Sequence, residues 1–191
     1  MLPYGRQSIS DEDVEAVVAV LRGDWLTTGP AVTAFENALS AVVGGHRALS
    51  CTSGTAALHI AYNAAGIGPG DEVITTPMTF VATASGASLT GATVVFADVE
   101  PDTANLDPAA VEALVNDRTR VIAAVDYAGH PCEYDALQRL ADSVGALTLA
   151  VFGALCWALA RRDLAEALST LRTHGNDREP APAAPGHDAV G

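Results

Sequence analysis

Arg120-Val121-Ile122-Ala123-Ala124-Val125 opens the stretch that decides the fold. This apolar run is followed by a helical stripe, Leu137, Leu140, Ala141 and Val144, within about 133–144, and then by a second apolar run from Ala146 to Phe152. Successive side chains of a β-strand point to opposite faces, so a run without polar alternation has both faces covered. A helix between two such strands is the connection that a parallel pair needs. Toward the N-terminus the pattern recurs. Strands are predicted at Ala48 to Cys51, Glu72 to Thr76 and Thr93 to Ala97, with helices at about 54–66, 79–89 and 108–116. Asp107-Pro108 gives the last of these an N-cap followed by a proline in the first turn. The repeated order predicts an α/β domain on a mostly parallel sheet.

Two helices precede this alternation. Ser10-Asp11-Glu12-Asp13 has the form of an N-cap with an acidic first turn, Val14, Val17, Val18 and Leu21 recur at helical spacing, and Gly23 ends the helix. Phe35, Ala38, Leu39 and Val42 mark the second, which Gly44-Gly45 stops. Beyond Phe152, Leu164, Ala167, Leu168 and Leu171 suit one more amphipathic helix, whereas 174–191 is rich in Pro, Gly, Asn and Asp. The expected division is therefore a main α/β body over 1–149, a divergent helical segment over 150–173 and a disordered tail over 174–191.

Composition excludes several roles. The net charge is −13, all ten basic residues are arginines, and no basic cluster exceeds Arg161-Arg162, which argues against a nucleic-acid partner. The longest apolar run, Leu147 to Ala160, is shorter than the roughly 20 residues that span a bilayer, so no membrane association is expected. Cys51, Cys132 and Cys156 are dispersed and odd in number, which fits reduced thiols and a cytoplasmic chain without a secretory leader. The histidines show no ligand spacing, and no metal is expected.

One local sequence stands out chemically. Cys51-Thr52-Ser53-Gly54-Thr55-Ala56-Ala57-Leu58 reads as a strand end passing through a small-residue turn into a helix. Backbone N–H groups at the positive end of a helix dipole make such a turn a good phosphate cradle. The same residues also suit an ordinary Ser/Gly cap. His130 follows a predicted strand, where α/β folds place ligand residues, and equally suits a plain loop position before Pro131. Asp98 and Asp102 fit the turn before Asn105.

Six motifs, in order, carry a resemblance: Tyr4-Gly5-Arg6-Gln7-Ser8-Ile9, Asp24-Trp25-Leu26-Thr27-Thr28-Gly29-Pro30, Thr52 to Leu58, Gly68-Pro69-Gly70-Asp71-Glu72-Val73-Ile74, Pro77-Met78-Thr79-Phe80-Val81-Ala82-Thr83 and Asn105-Leu106-Asp107-Pro108. Over about residues 2–149 the chain resembles the DegT/DnrJ/StrS family of pyridoxal-phosphate (PLP) dependent sugar-nucleotide aminotransferases. The opening motif, the second motif and Ala128-Gly129-His130-Pro131-Cys132 look most like the pseudaminic-acid branch. That branch aminates a UDP-linked 4-keto-6-deoxy-N-acetylhexosamine with glutamate as donor.

The resemblance implies the PLP fold-type I large domain, with Ser53, Gly54, Thr55, Ala56 and Phe80 binding the cofactor, Thr55 and Ala56 meeting its phosphate and Phe80 stacking on its ring. Without the family, Phe80 reads equally as a core aromatic. Tyr4, Thr27 and Thr28 fall where the family approaches its nucleotide-sugar substrate, and the family is homodimeric.

The resemblance stops near residue 150. Family members continue after this strand with an acidic residue that keeps the pyridine nitrogen protonated, and later carry a Schiff-base lysine. Here Ala150-Val151-Phe152-Gly153-Ala154-Leu155 follows, the next carboxylate is Asp163, and the 191 residues include no lysine. His174, the only histidine near the right distance for a histidine-based relative, lies in no family motif. The family's small C-terminal domain is not recognisable either. The expectation is a frameshifted or truncated, catalytically incompetent product. A non-catalytic PLP or nucleotide-sugar binding module, or an interaction partner of an intact paralogue, are the alternatives.

Overall fold

The computed structural model of the chain describes residues 8–152 and 155–158. They fall in two compact units divided between Cys51 and Thr52.

The first unit holds two helices. α1 (Asp11–Arg22) starts at a complete capping box: the Ser10 hydroxyl accepts from the Asp13 amide, and the Asp13 carboxylate accepts from the Ser10 amide. α2 (Pro30–Val42) begins with Pro30, whose fixed φ suits a first turn. Neither helix contains a buried residue. The strand expected at Ala48 to Cys51 does not form. Leu49 is exposed, and Ser50 gives both its amide (2.8 Å) and its hydroxyl (2.7 Å) to the Glu36 carboxylate. A side-chain acceptor thus takes the amide that a strand ladder would have used.

The second unit is the expected α/β body. Its elements are α3 (Gly54–Ala64), β1 (Glu72–Thr75), α4 (Ala82–Ser88), β2 (Thr93–Phe96), α5 (Pro108–Glu112), β3 (Thr119–Val125), α6 (Tyr134–Val144), β4 (Leu147–Phe152) and β5 (Leu155–Ala158). The sheet order is β2-β1-β3-β4-β5; the first four strands are parallel, and β5 pairs antiparallel with β4. The architecture is the mostly parallel α/β sheet that the sequence predicts.

The unbroken apolar runs are explained by two cores, one on each face. Val73, Val121, Ala123, Leu149 and Val151 pack with Leu58 and Tyr62 of α3 and with Ala82 and Ala87 of α4. Ile74, Ile122 and Ala124 turn the other way, onto Val111 of α5 and Leu137 and Ala141 of α6. Gly145 ends α6 in the left-handed region, at φ 70°, where a side chain would be strained.

Differences from the sequence reading lie at the ends of elements. α4 begins at Ala82 rather than Thr79, because Thr76 to Phe80 forms a separate turn in which the Met78 amide donates to the Thr76 hydroxyl. α5 is a short helix of five residues. Residues 155–158, expected within a helical segment, form a strand, because Leu149 to Phe152 offers them a hydrogen-bonding edge. The helix expected around Leu164–Leu171 and the tail expected over 174–191 lie outside the described residues.

Candidate functional site

Strand order locates the site before any side chain is considered. β1 and β3 are neighbours, but the chain leaves β1 for β2 on one side and leaves β3 for β4 on the other. Such a switch point opens a crevice at the carboxyl ends of the strands. The segments there are Thr76–Val81 after β1 and Asp126–Glu133 after β3. A short turn joins the end of α3 to the start of β1, so the N-terminus of α3 points to this same carboxyl edge.

The N-terminus of α3 has the geometry of a phosphate cradle. Ser53 is the N-cap in extended conformation; its hydroxyl accepts from the Ala56 amide (3.2 Å), and its carbonyl accepts from the Ala57 amide (3.0 Å). The Thr55 amide has no partner within the helix, and Thr55 is exposed. Buried Leu58 and Tyr62 fix the helix from below, and the Tyr62 hydroxyl donates to the Thr83 carbonyl at 2.9 Å.

Phe80 is 73% exposed and belongs to neither core. The core role that it could have had on sequence grounds does not hold. The turn carrying it is tied down by the 2.8 Å contact between the Thr79 and Thr83 hydroxyls.

The segment after β3 is held from below. Asn105 is 2% exposed and uses its whole amide: Nδ2 donates to the carbonyls of His130 and Pro131 (3.0 Å each), and Oδ1 accepts from the Tyr127 amide (3.0 Å). Oδ1 of Asp126 accepts from the Cys132 amide (3.0 Å) and the Tyr134 hydroxyl (2.7 Å). Burial raises the Tyr134 phenol above its ordinary range, with the Asp126 hydrogen bond and charge adding to the effect. Burial likewise pushes the Cys132 thiol up to about 12, with the Asp126 charge next in importance. Both groups stay protonated near neutrality. Above this base, Tyr127 and His130 are exposed. Asp98 and Asp102 do lie in the turn before Asn105, with the Asp98 carboxylate accepting from the Val99 amide.

Ser53, Gly54, Thr55, Ala56 and Phe80 therefore all belong to the second unit and to its carboxyl edge. Thr27 and Thr28 belong to the first unit, exposed in the turn between α1 and α2, with Thr28 in the left-handed region at φ 49°. Tyr4 lies outside the described residues. Asn105, Asp126 and Tyr134 gave no functional signal in sequence; only the Asn-Leu-Asp-Pro motif marked the first of them. Among the described residues no group of His, Cys, Asp or Glu could hold a metal ion, and no helix is long and apolar enough to cross a membrane.

Comparison with known proteins gives the family and the fold, the latter that of PLP fold-type I aminotransferases. The DegT/DnrJ/EryC1/StrS aminotransferase family matches residues 7–150. The chain belongs to that family. The spore coat polysaccharide biosynthesis protein SpsC of Bacillus subtilis (strain 168) is 44% identical over 148 residues, which cover 78% of this chain and 38% of SpsC. The aminotransferase of Psychrobacter cryohalolentis superposes with a TM-score of 0.72 at 35% identity, covering 78% of this chain and 38% of that one. The PLP form of a Streptococcus pneumoniae sugar aminotransferase gives 0.70 at 34% identity, covering 74% and 36%. The chain thus spans well under half the length of these relatives.

Related aminotransferases carry PLP, which supplies an electron-accepting pyridinium ring. The residues present would suit its phosphate, at the Ser53-capped start of α3, and its ring face, at exposed Phe80. They do not fit covalent attachment, because the 191 residues include no lysine. Nor is a carboxylate at hand for the ring nitrogen at the end of β4, since none lies between Asp142 and Asp163.

Proposed function

We propose that this chain carries the cofactor-phosphate side of a sugar-nucleotide aminotransferase site, and that the 191-residue polypeptide binds PLP or its amine form PMP non-covalently without turnover. The observation that carries this reading is the Ser53-capped start of α3 at the carboxyl edge of the switch point, on the same edge as exposed Phe80. Backbone amides there attract a phosphate dianion, and an exposed aromatic offers a stacking face. The full family reaction would transfer an amino group from glutamate to a UDP-linked 4-keto-6-deoxy-N-acetylhexosamine, in the cytoplasm and in the service of surface polysaccharide synthesis. Tyr4, Thr27 and Thr28 are assigned to that nucleotide sugar. Transfer needs a side-chain amine, and this polypeptide has none.

Titration of the purified chain with PLP, followed by absorption, tests the reading. Saturable change in the free-aldehyde spectrum, with no lysine adduct after borohydride reduction, is expected. Absence of saturable binding would refute the binding reading, and transamination by the purified chain would refute incompetence. Sequencing the coding DNA tests its origin: an alternative frame beyond codon 149 should encode an aspartate-x-x-histidine stretch and a later lysine.

A further inference from the structure

Asn105 is almost fully buried, and while its backbone bonds within its own turn, to the Thr103 hydroxyl and the Glu100 amide, none of its side-chain hydrogen bonds does. Both side-chain hydrogen bonds of Nδ2 and the one accepted by Oδ1 go to a segment more than twenty residues away. They grip that segment at both ends, at the Tyr127 amide on one side and at the His130 and Pro131 carbonyls on the other. Between the grips, Ala128 sits in the left-handed region at φ 53°, a conformation that costs a non-glycine residue about 1 kcal/mol. Gly129 follows at φ 84°, so the reversal is tight. The turn emerges at the carboxyl end of β3, beside β1 at the switch point. It presents two exposed polar side chains there, Tyr127 and His130. A core that needed only closure would be served by an apolar residue at 105. A three-point polar clamp specifies one backbone path, and strain held by surrounding structure collects where geometry matters.

We infer that Asn105 is a positioning residue that fixes the Tyr127–Pro131 turn so that the His130 imidazole meets the bound phosphopyridine ligand at the carboxyl edge. The inference rests on the proposed cofactor site. The imidazole supplies a hydrogen bond; no bond is made or broken. His130 touches the ligand, and Asn105 acts only through it.

PMP is the probe, because it lacks the aldehyde that could react with the chain's α-amino group. Its affinity for the wild-type chain, His130→Ala, Asn105→Asp and the double variant is measured by calorimetry, with melting temperature recorded alongside. Asn105→Asp keeps the acceptor for the Tyr127 amide and removes both donors to the carbonyls. Each single variant should weaken PMP by about tenfold, the size of one lost hydrogen bond, and the double variant by no more than either. His130→Ala, an exposed position, should melt with the wild type. The His130 ring resonances should shift on PMP addition in the wild type, a response that a purely structural loop would not give. Wild-type PMP affinity in His130→Ala with an unmoved resonance overturns the inference. Additive losses in the double variant overturn the coupling to Asn105. Failure of the wild-type chain to bind PMP overturns the cofactor site and this inference together.

Discussion

The Tyr62 hydroxyl donates to the Thr83 carbonyl at 2.9 Å, which ties the last turn of α3 to the first turn of α4 inside a core where both residues are buried. Tyr62→Phe keeps the ring and loses the hydroxyl, so the cost should be about 1 kcal/mol in urea denaturation. A loss near zero would mean that the hydroxyl contributes nothing to joining the helices.

Gly86 faces the same ring. A Cβ there would lie 3.3 Å from two Tyr62 ring carbons, closer than ordinary contact. Gly86→Ala gains about 1 kcal/mol of helix propensity but overpacks a rigid, fully buried aromatic, at about 1–3 kcal/mol. The net effect should be destabilising, and a melting temperature above wild type would contradict this.

Thr148 lies in β4 with a buried hydroxyl that has no hydrogen-bond partner. Valine has the same shape without the polar atom. Because an unsatisfied buried hydroxyl costs about 1–3 kcal/mol, Thr148→Val should stabilise the chain, by about 1 kcal/mol in denaturant melts.

The Cys132 thiol, raised from its usual 9.0 to about 12, is held neutral in the folded chain, chiefly by burial. The folded state therefore keeps its proton more tightly than the unfolded state. This stability is fully present below pH 9 and is lost as pH rises from 9 toward 12. Cys132→Ser should flatten that part of a stability–pH profile. In mass-spectrometric alkylation at pH 8, exposed Cys51 should react in the native chain and buried Cys132 only after denaturant is added.

Glu36 titrates in the opposite sense. The Ser50 amide, and then its hydroxyl, lower the carboxylate below its ordinary 4.5. A lowered acid contributes above its unfolded value and loses that contribution as pH falls through the folded one. Hydrogen-exchange protection of the Ser50 amide should accordingly fade below pH 4.5 and be absent in Glu36→Ala.

The central fold was legible because burial on both faces leaves a direct mark: Val121 to Val125 is wholly apolar, and Leu147 to Val151 is apolar but for Thr148. Helix limits were legible where a cap fixed them, at Ser10 and Asp107. Ala48 to Cys51 misled because its composition suits a strand, while the Glu36 carboxylate that captures Ser50 lies fourteen residues away. The Thr76–Phe80 turn was hidden for a similar reason, since hydroxyl-to-backbone bonds compete with helix geometry without changing composition. At the candidate site, the Ser53 cap was readable from spacing alone. The clamp was not, because Asn105 and His130 meet only once β3 has brought their segments together.

β5 hydrogen-bonds to β4 from Leu149 to Phe152 and runs the opposite way. With those rungs taken, a strand arriving by another right-handed crossover has nowhere to seat beside the carboxyl half of β4. Any widening of the sheet is diverted to the far side of β2 or past the hairpin, so this short reversal sets the direction in which the architecture can be extended.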